Sequence, residues 1–162
     1  NQNRRLFFKK KVMTIAEAYR RYHSINIEML INDAFDSASE QIEQLNREQL
    51  EKGIKSTGEE LGDYVGYYRE VRVKKGLQVD YVDLKVTGKF YNSIYAKREG
   101  NEYEIFSTDT ASKVQALIYG GNGVRKGGFG EEIFGLTDEN KLTVKGLTRD
   151  TLIEIIEQVM NI

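Results

Sequence analysis

Between Ile25 and Leu50 the apolar residues Ile27, Ile31, Ala34, Phe35, Ala38, Ile42 and Leu45 recur at intervals of three and four. That spacing lines one face of an α-helix. Asp33, Asp36, Glu40, Glu43, Arg47 and Glu48 take the other faces. At roughly 1.5 Å of rise per residue, a helix of this length crosses much of a small domain, so the rest of the chain must be arranged along it. Gly53 is its natural stop. Upstream, Thr14 with Glu17 three positions on reads as a capping box for a turn or two through Tyr22.

The stretch 53–76 carries five glycines and three tyrosines, Tyr64, Tyr67 and Tyr68. It reads as an irregular connection with a short helix near its end, because glycine at this density weakens any long one. Asp80–Val86 alternates in part and is β-prone. Ile94–Arg98 and Glu102–Ser107 flank Gly100-Asn101 and predict a hairpin. Asp109 or Thr110 then caps a short helix carrying Val114, Ala116, Leu117 and Ile118, closed by Gly120. A glycine-rich loop follows at 120–132. Thr137 caps a short turn through Asn140, and Thr148 or Asp150 opens a final helix with Leu152, Ile155, Ile156, Val159 and Ile162 on one face. The expected class is α+β, with a long N-terminal helix, a small antiparallel β-sheet containing a hairpin, and a C-terminal helix. Residues 24–162 form one domain in this reading, and 1–23 an arm.

The arm is set apart by charge. Residues 1–23 hold seven basic side chains against the single acid Glu17, whereas the remainder holds 17 basic and 24 acidic ones. A basic segment on an acidic body suits nucleic acid or the acidic surface of a neighbour. Leu6, Phe7, Phe8, Val12 and Ile15 accompany Arg4, Arg5, Lys9, Lys10 and Lys11, and those apolar groups favour a protein neighbour. The sequence opens on Asn1 rather than Met, as a trimmed or processed chain would, and no secretory signal is visible. No apolar run approaches the ~18 residues of a membrane helix.

Few residues offer chemistry. The chain has no cysteine, which excludes disulfides, thiolate catalysis and cysteine metal sites. His23 is the sole histidine and stands in a basic, polar segment, where a solvated or interfacial role outweighs that of a triad base. The glycines at 120, 121, 123, 127, 128 and 130 fit neither GxxxxGK[ST] nor a dinucleotide fingerprint, since Lys126 precedes glycine and no βαβ unit surrounds them. A mobile loop that orders against a partner is the expectation. Asp80, Asp83 and Lys85 form part of the acid, acid-x-lysine pattern by which some nucleases hold magnesium on a strand, with Glu102 or Glu104 as a further ligand. The competing reading is a solvated edge strand. Glu59-Glu60 and Glu131-Glu132 read as solvated surface. Five of the ten tyrosines lie between positions 64 and 91, a composition that suits protein interfaces, with core packing as the alternative.

"VTGKFYNSI" (Val86–Ile94), "STDTASKVQALIYG" (Ser107–Gly120) and "IFGLTDEN" (Ile133–Asn140) together resemble small structural proteins of tailed bacteriophages, the virion-morphogenesis, tail-completion and head–tail joining group. The resemblance runs from about Gly53 to Ile162 through short pieces. It implies a non-enzymatic connector located in the virion, a homo-oligomeric ring touching portal, neck or tail proteins, with DNA only as channel content, and with no cofactor, metal or catalytic residue. The arm and the long loop depart from the group. They supply the interface candidates Arg4, Arg5, Phe7, Phe8, Lys9, Lys10, Lys11, Asn122, Val124, Arg125, Lys126 and Phe129, joined by Tyr64, Tyr67 and Tyr68. The alternatives are a magnesium-dependent nuclease using Asp80, Asp83 and Lys85, and a nucleic-acid-binding accessory protein led by the arm.

Overall fold

The computed structural model describes residues 13–100, 102–121, 124 and 126–160. Helix α1 spans Ile15–Ser24 and begins at the expected capping box: the Thr14 hydroxyl accepts from the Glu17 amide, and the Glu17 carboxylate accepts from the Thr14 amide. Asn26 then caps α2, Ile27–Glu51, by accepting from the Met29 amide. The buried seam of α2 is Leu30, Ala34, Ala38, Ile42, Leu45, Asn46, Gln49 and Leu50. It differs from the sequence stripe at the N-terminal end, where Ile27 is exposed and Ile31 and Phe35 are only partly covered. There Leu30 takes the inward position, and Phe35 packs against Tyr103. Gly53 ends the helix at φ +73°, where a Cβ would meet the Tyr81 ring at 2.7 Å and the Val82 carbonyl at 2.9 Å.

A two-stranded antiparallel sheet packs on α2. Strand β1 (Ile94–Glu99) pairs with β2 (Glu102–Ser107) from Ile94↔Ser107 to Glu99↔Glu102, and Gly100 enters the turn at φ +61°. Arg47 of α2 ties the hairpin down. Its guanidinium donates to the carbonyls of Tyr91 and Ile94, and its partner Glu43 accepts from the Ala96 amide. Ala38, Ile42 and Leu45 of α2 meet Leu136, with Ala96, Tyr103, Ile105 and Val144 packed around them. The larger core gathers Leu50, Leu61, Tyr64, Val82, Phe90, Tyr91, Ile94, Phe129 and Ile133.

Helix α3 (Gly66–Lys74) is the short helix expected near the end of the glycine-punctuated connection. Between it and α4 (Lys89–Asn92), residues 80–86 are not a strand. Val82 donates to the Gly62 carbonyl, Leu84 adopts φ +55°, and the Asp83 carboxylate accepts from the Lys85 amide. That side-chain turn spends the backbone donor a sheet neighbour would need. Gly88, left-handed at φ +78°, opens α4, which seats Phe90 and, just beyond it, Ile94 in the core. Helix α5 (Ala111–Tyr119) follows Thr110 and closes at Gly120, while Asp109 accepts from the Thr110 amide and pairs with Lys113.

Two expectations for the last third are corrected. The second half of the glycine-rich loop is anchored: Phe129 donates to the Leu117 carbonyl and Gly130 to that of Ile118, and Phe129 is buried. A 3-10 turn (Glu131–Ile133) then delivers Ile133 into the core. The final helix α6 runs unbroken from Asp138 to Met160, so Thr148 and Asp150 lie inside it rather than at its start. Thr137 is the cap and accepts from the Asn140 amide, while its own amide donates to Gln49 of α2. A tertiary partner thus fixes where this helix begins.

Candidate interaction surface

A buried polar cluster fixes the strap 77–88. Arg72, projecting from α3, donates to both oxygens of Asp83 at 3.0 and 3.3 Å, and to the carbonyls of Gln78 and Lys85 at 2.9 Å each. Its guanidinium also lies 4.0 Å from the centre of the Tyr64 ring. The Tyr64 hydroxyl donates to Asp83 at 2.9 Å, and the Tyr91 hydroxyl donates to the Asp83 carbonyl. A guanidinium left in such a place without its carboxylate would be an unpaired interior charge, so the cluster holds only as a whole.

Asp83 is therefore a structural anchor, and the three residues of the nuclease pattern do not converge. Lys85 turns outward to pair with Glu51, and Asp80 is exposed, with its amide held by Gln78. Glu102 and Glu104 are exposed on the hairpin. Among the described residues no group of three or more His, Asp or Glu side chains is arranged to hold a metal ion. His23 lies against Tyr19, tilted, and edge-on to Tyr22 on α1, with ring centres 4.2 and 5.5 Å away. No described helix is long and apolar enough to cross a membrane.

The strap forms one wall of an apolar cleft of about 420 Å³. Val82, Leu84 and Val86 lie on that wall, Tyr64 and Val65 just ahead of α3 and Tyr68 in its first turn line it as well, and so do Leu117, Val124 and Phe129. Lys89, Lys113 and Asp63 supply its charged rim. Such a cleft has room for an apolar side chain.

The predicted interface residues divide accordingly. Tyr67 and Tyr68 are exposed, as is Lys126. Tyr64 and Phe129 are corrected from surface to core, at 7% and 8% exposure, because the Asp83 cluster and the α5 carbonyls claim them. Val124 is half-buried against the core and lines the cleft. Arg4, Arg5, Phe7, Phe8, Lys9, Lys10, Lys11, Asn122 and Arg125 lie outside the described residues. Sequence reasoning missed Arg72 and the rim lysines. The one local hint was an acid, Asp83, set between Val82 and Leu84 in an apolar stretch.

Burial first, and the Asp83 carboxylate second, push the Tyr64 and Tyr91 phenols well above the ordinary tyrosine value of 10.0. Their folded values exceed the unfolded one, so the stabilisation is complete below the unfolded value and drains away as pH rises past it. Unfolding free energy measured from about pH 9 to pH 11 should fall by about 1.4 kcal/mol per pH unit for each phenol above pH 10. Tyr91→Phe should flatten that descent, and an unchanged slope would show the phenol to be solvated.

No protein-family model, curated protein sequence or solved structure matches the chain.

Proposed function

We propose that the protein is a non-enzymatic connector of a tailed-phage virion, assembling in several copies and joining portal, neck or tail proteins at the head–tail junction. One observation carries this reading: the three sequence stretches that resemble the joining group meet in space as one body. Phe90 of the first stands against Phe134 of the third, with ring centres 6.1 Å apart. Ser93 of the first and Ser107 of the second share a hydroxyl contact of 2.7 Å. Asn46 of α2 donates to the carbonyls of Ile133 and Gly135 in the third. The cleft opens between the first two, with exposed Val65, Tyr67 and Tyr68 beside it. Clustered apolar exposure of this kind marks protein contact surfaces.

The test takes the full chain, alone and mixed with portal and tail components of the particle that encodes it. Native mass spectrometry and electron microscopy should find discrete multi-copy assemblies, or their recruitment by those components. Tyr67→Ala with Tyr68→Ala should weaken recruitment. Magnesium-dependent cleavage of DNA that is lost on Asp80→Ala, from a chain that never associates, would overturn the reading in favour of a nuclease. Affinity for DNA that falls steeply with salt and vanishes on removal of residues 1–12 would overturn it in favour of an accessory nucleic-acid binder.

A further inference from the structure

The hairpin has an edge that no described residue uses. In an antiparallel ladder, opposed residues alternate between pairs that exchange backbone bonds and pairs that do not. Thr108 donates to the Ser93 carbonyl, so Tyr95↔Phe106, Lys97↔Glu104 and Glu99↔Glu102 are the exchanging pairs. The amides and carbonyls between them point outward. On β1 two of these are taken up: the Ala96 amide donates to Glu43, and the Ile94 carbonyl accepts from Arg47. On β2 the outward amides and carbonyls of Tyr103, Ile105 and Ser107 have no partner among the described residues. Such an edge is a template for a further strand, and a sheet of two strands is the kind that most needs one.

The side chains along that edge define the strand that fits it. Glu102 and Glu104 are exposed on its outer face, followed by Phe106, which is half-buried against Tyr95. Lys97, opposite Glu104, is bonded to Glu99, and Glu102 faces Glu99 itself. The edge therefore suits an extended segment with two cations at alternate positions and an aromatic residue at the next. The sequence 5–12, "RLFFKKKV", is such a segment: Phe7, Lys9 and Lys11 alternate, and it contains neither proline nor glycine. It lies outside the described residues. Laid antiparallel on β2, it sets Lys11 beside Glu102, Lys9 beside Glu104 and Phe7 beside Phe106, and turns Phe8 toward Ile105 on the other face.

We infer that residues 5–12 of a second copy of this chain add to the free edge of β2 as a third, antiparallel strand, with Lys9 facing Glu104 and Lys11 facing Glu102. The chain's own arm is tethered too closely. Only Val12 and Met13 separate Lys11 from the Thr14 cap of α1, about 10 Å of extended chain. A strand on its own β2 would draw that end of α1 onto the hairpin turn, whereas Ile15 stands 91% exposed and the helix leans on α6 through Arg21. An arm passed from copy to copy is a head-to-tail contact, of the kind that closes into rings. The inference rests on the connector reading only for the particle that the assembly serves.

The chain has no cysteine, so an introduced pair reports a single contact. In this register Lys9 and Glu104 are a non-exchanging pair, with Cα atoms about 4.5 Å apart and within disulfide range. Under mild oxidation of the full chain, Lys9→Cys with Glu104→Cys should give dimers and longer covalent ladders on a non-reducing gel. Lys10→Cys with Glu104→Cys puts the two thiols on opposite faces and should not. In sedimentation, removing residues 1–12 should weaken self-association at least about 30-fold. Lys9→Glu with Lys11→Glu should weaken it, as should Glu102→Lys with Glu104→Lys. Mixing those two variants should restore assembly, because each arm then meets an edge of opposite charge. A link formed within one chain overturns the inference, and so does a wild-type chain that is single at about 100 µM. An assembly that neither cross-links nor responds to the arm variants overturns it and leaves the connector reading intact. Cross-linked assemblies from a protein missing from virion particles support this contact and sink the connector reading.

Discussion

Asp83→Ala is expected to cost about 3–5 kcal/mol of folding stability, the usual loss when one partner of a buried ion pair is removed. Arg72 would remain with only carbonyl acceptors in a site where its side chain is 1% exposed. The Tyr64 hydroxyl and the Lys85 amide would lose their acceptor in the same step. Asp80→Ala, three residues away and exposed, should fall within about 0.5 kcal/mol of the parent. The pair of variants tests by stability alone whether Asp83 is an interior anchor and Asp80 is not. Replacing both charges, Arg72→Met with Asp83→Leu, should recover part of the loss because no lone interior charge is left. Urea unfolding at one fixed protein concentration measures all of these. An Asp83→Ala protein within about 1 kcal/mol of the parent would show the cluster to be wet and dispensable.

Gly128→Ala is expected to be comparably severe. The residue sits at φ +64°, and a Cβ there would lie 2.1 Å from the Ile118 carbonyl oxygen and 2.6 Å from the Gly120 nitrogen. Both are backbone atoms of the α5 terminus and cannot rotate aside. The loop would have to lift, breaking the Phe129–Leu117 and Gly130–Ile118 hydrogen bonds and drawing Phe129 out of the core. Two hydrogen bonds, one aromatic side chain and a left-handed conformer together amount to about 4–6 kcal/mol. Gly127→Ala is the control: it has φ +84° but nothing within 4 Å of its Cβ, so only the conformer cost of about 1–2 kcal/mol applies. Denaturant unfolding and amide exchange at Phe129 give the comparison. Equal losses for the two substitutions would mean that the loop is not anchored there.

Those two sites mark where sequence reasoning stopped. The caps at Thr14 and Thr137, the hairpin about Gly100 and the closure of α5 at Gly120 are local events, decided by residues within a few positions of one another. Periodicity and turn chemistry read them directly. Asp80–Val86 shows strand-like alternation, but its conformation is dictated by Arg72, eleven positions before Asp83. Thr148 and Asp150 are as suitable for capping as Thr137, and Gln49 chooses among them from 88 positions away. A loop of glycines reads as slack until Leu117 and Ile118 are known to hold its end. The tyrosines of 64–91 split because a hydroxyl serves an interior acceptor as readily as water: Tyr64 and Tyr91 are buried, while Tyr67, Tyr68 and Tyr81 are exposed.

The amides of Asn46 and Gln49, near the end of α2, find their acceptors at Ile133 and Gly135, between 86 and 89 positions further along. During synthesis, the apolar seam of α2 can already be covered by Leu61, Val82, Phe90, Ile94 and Ile105, but its two interior amides and the Leu136 contact must wait for residues 133–136. A chain ending ahead of Gly135 closes its oily half and leaves its polar half unmatched.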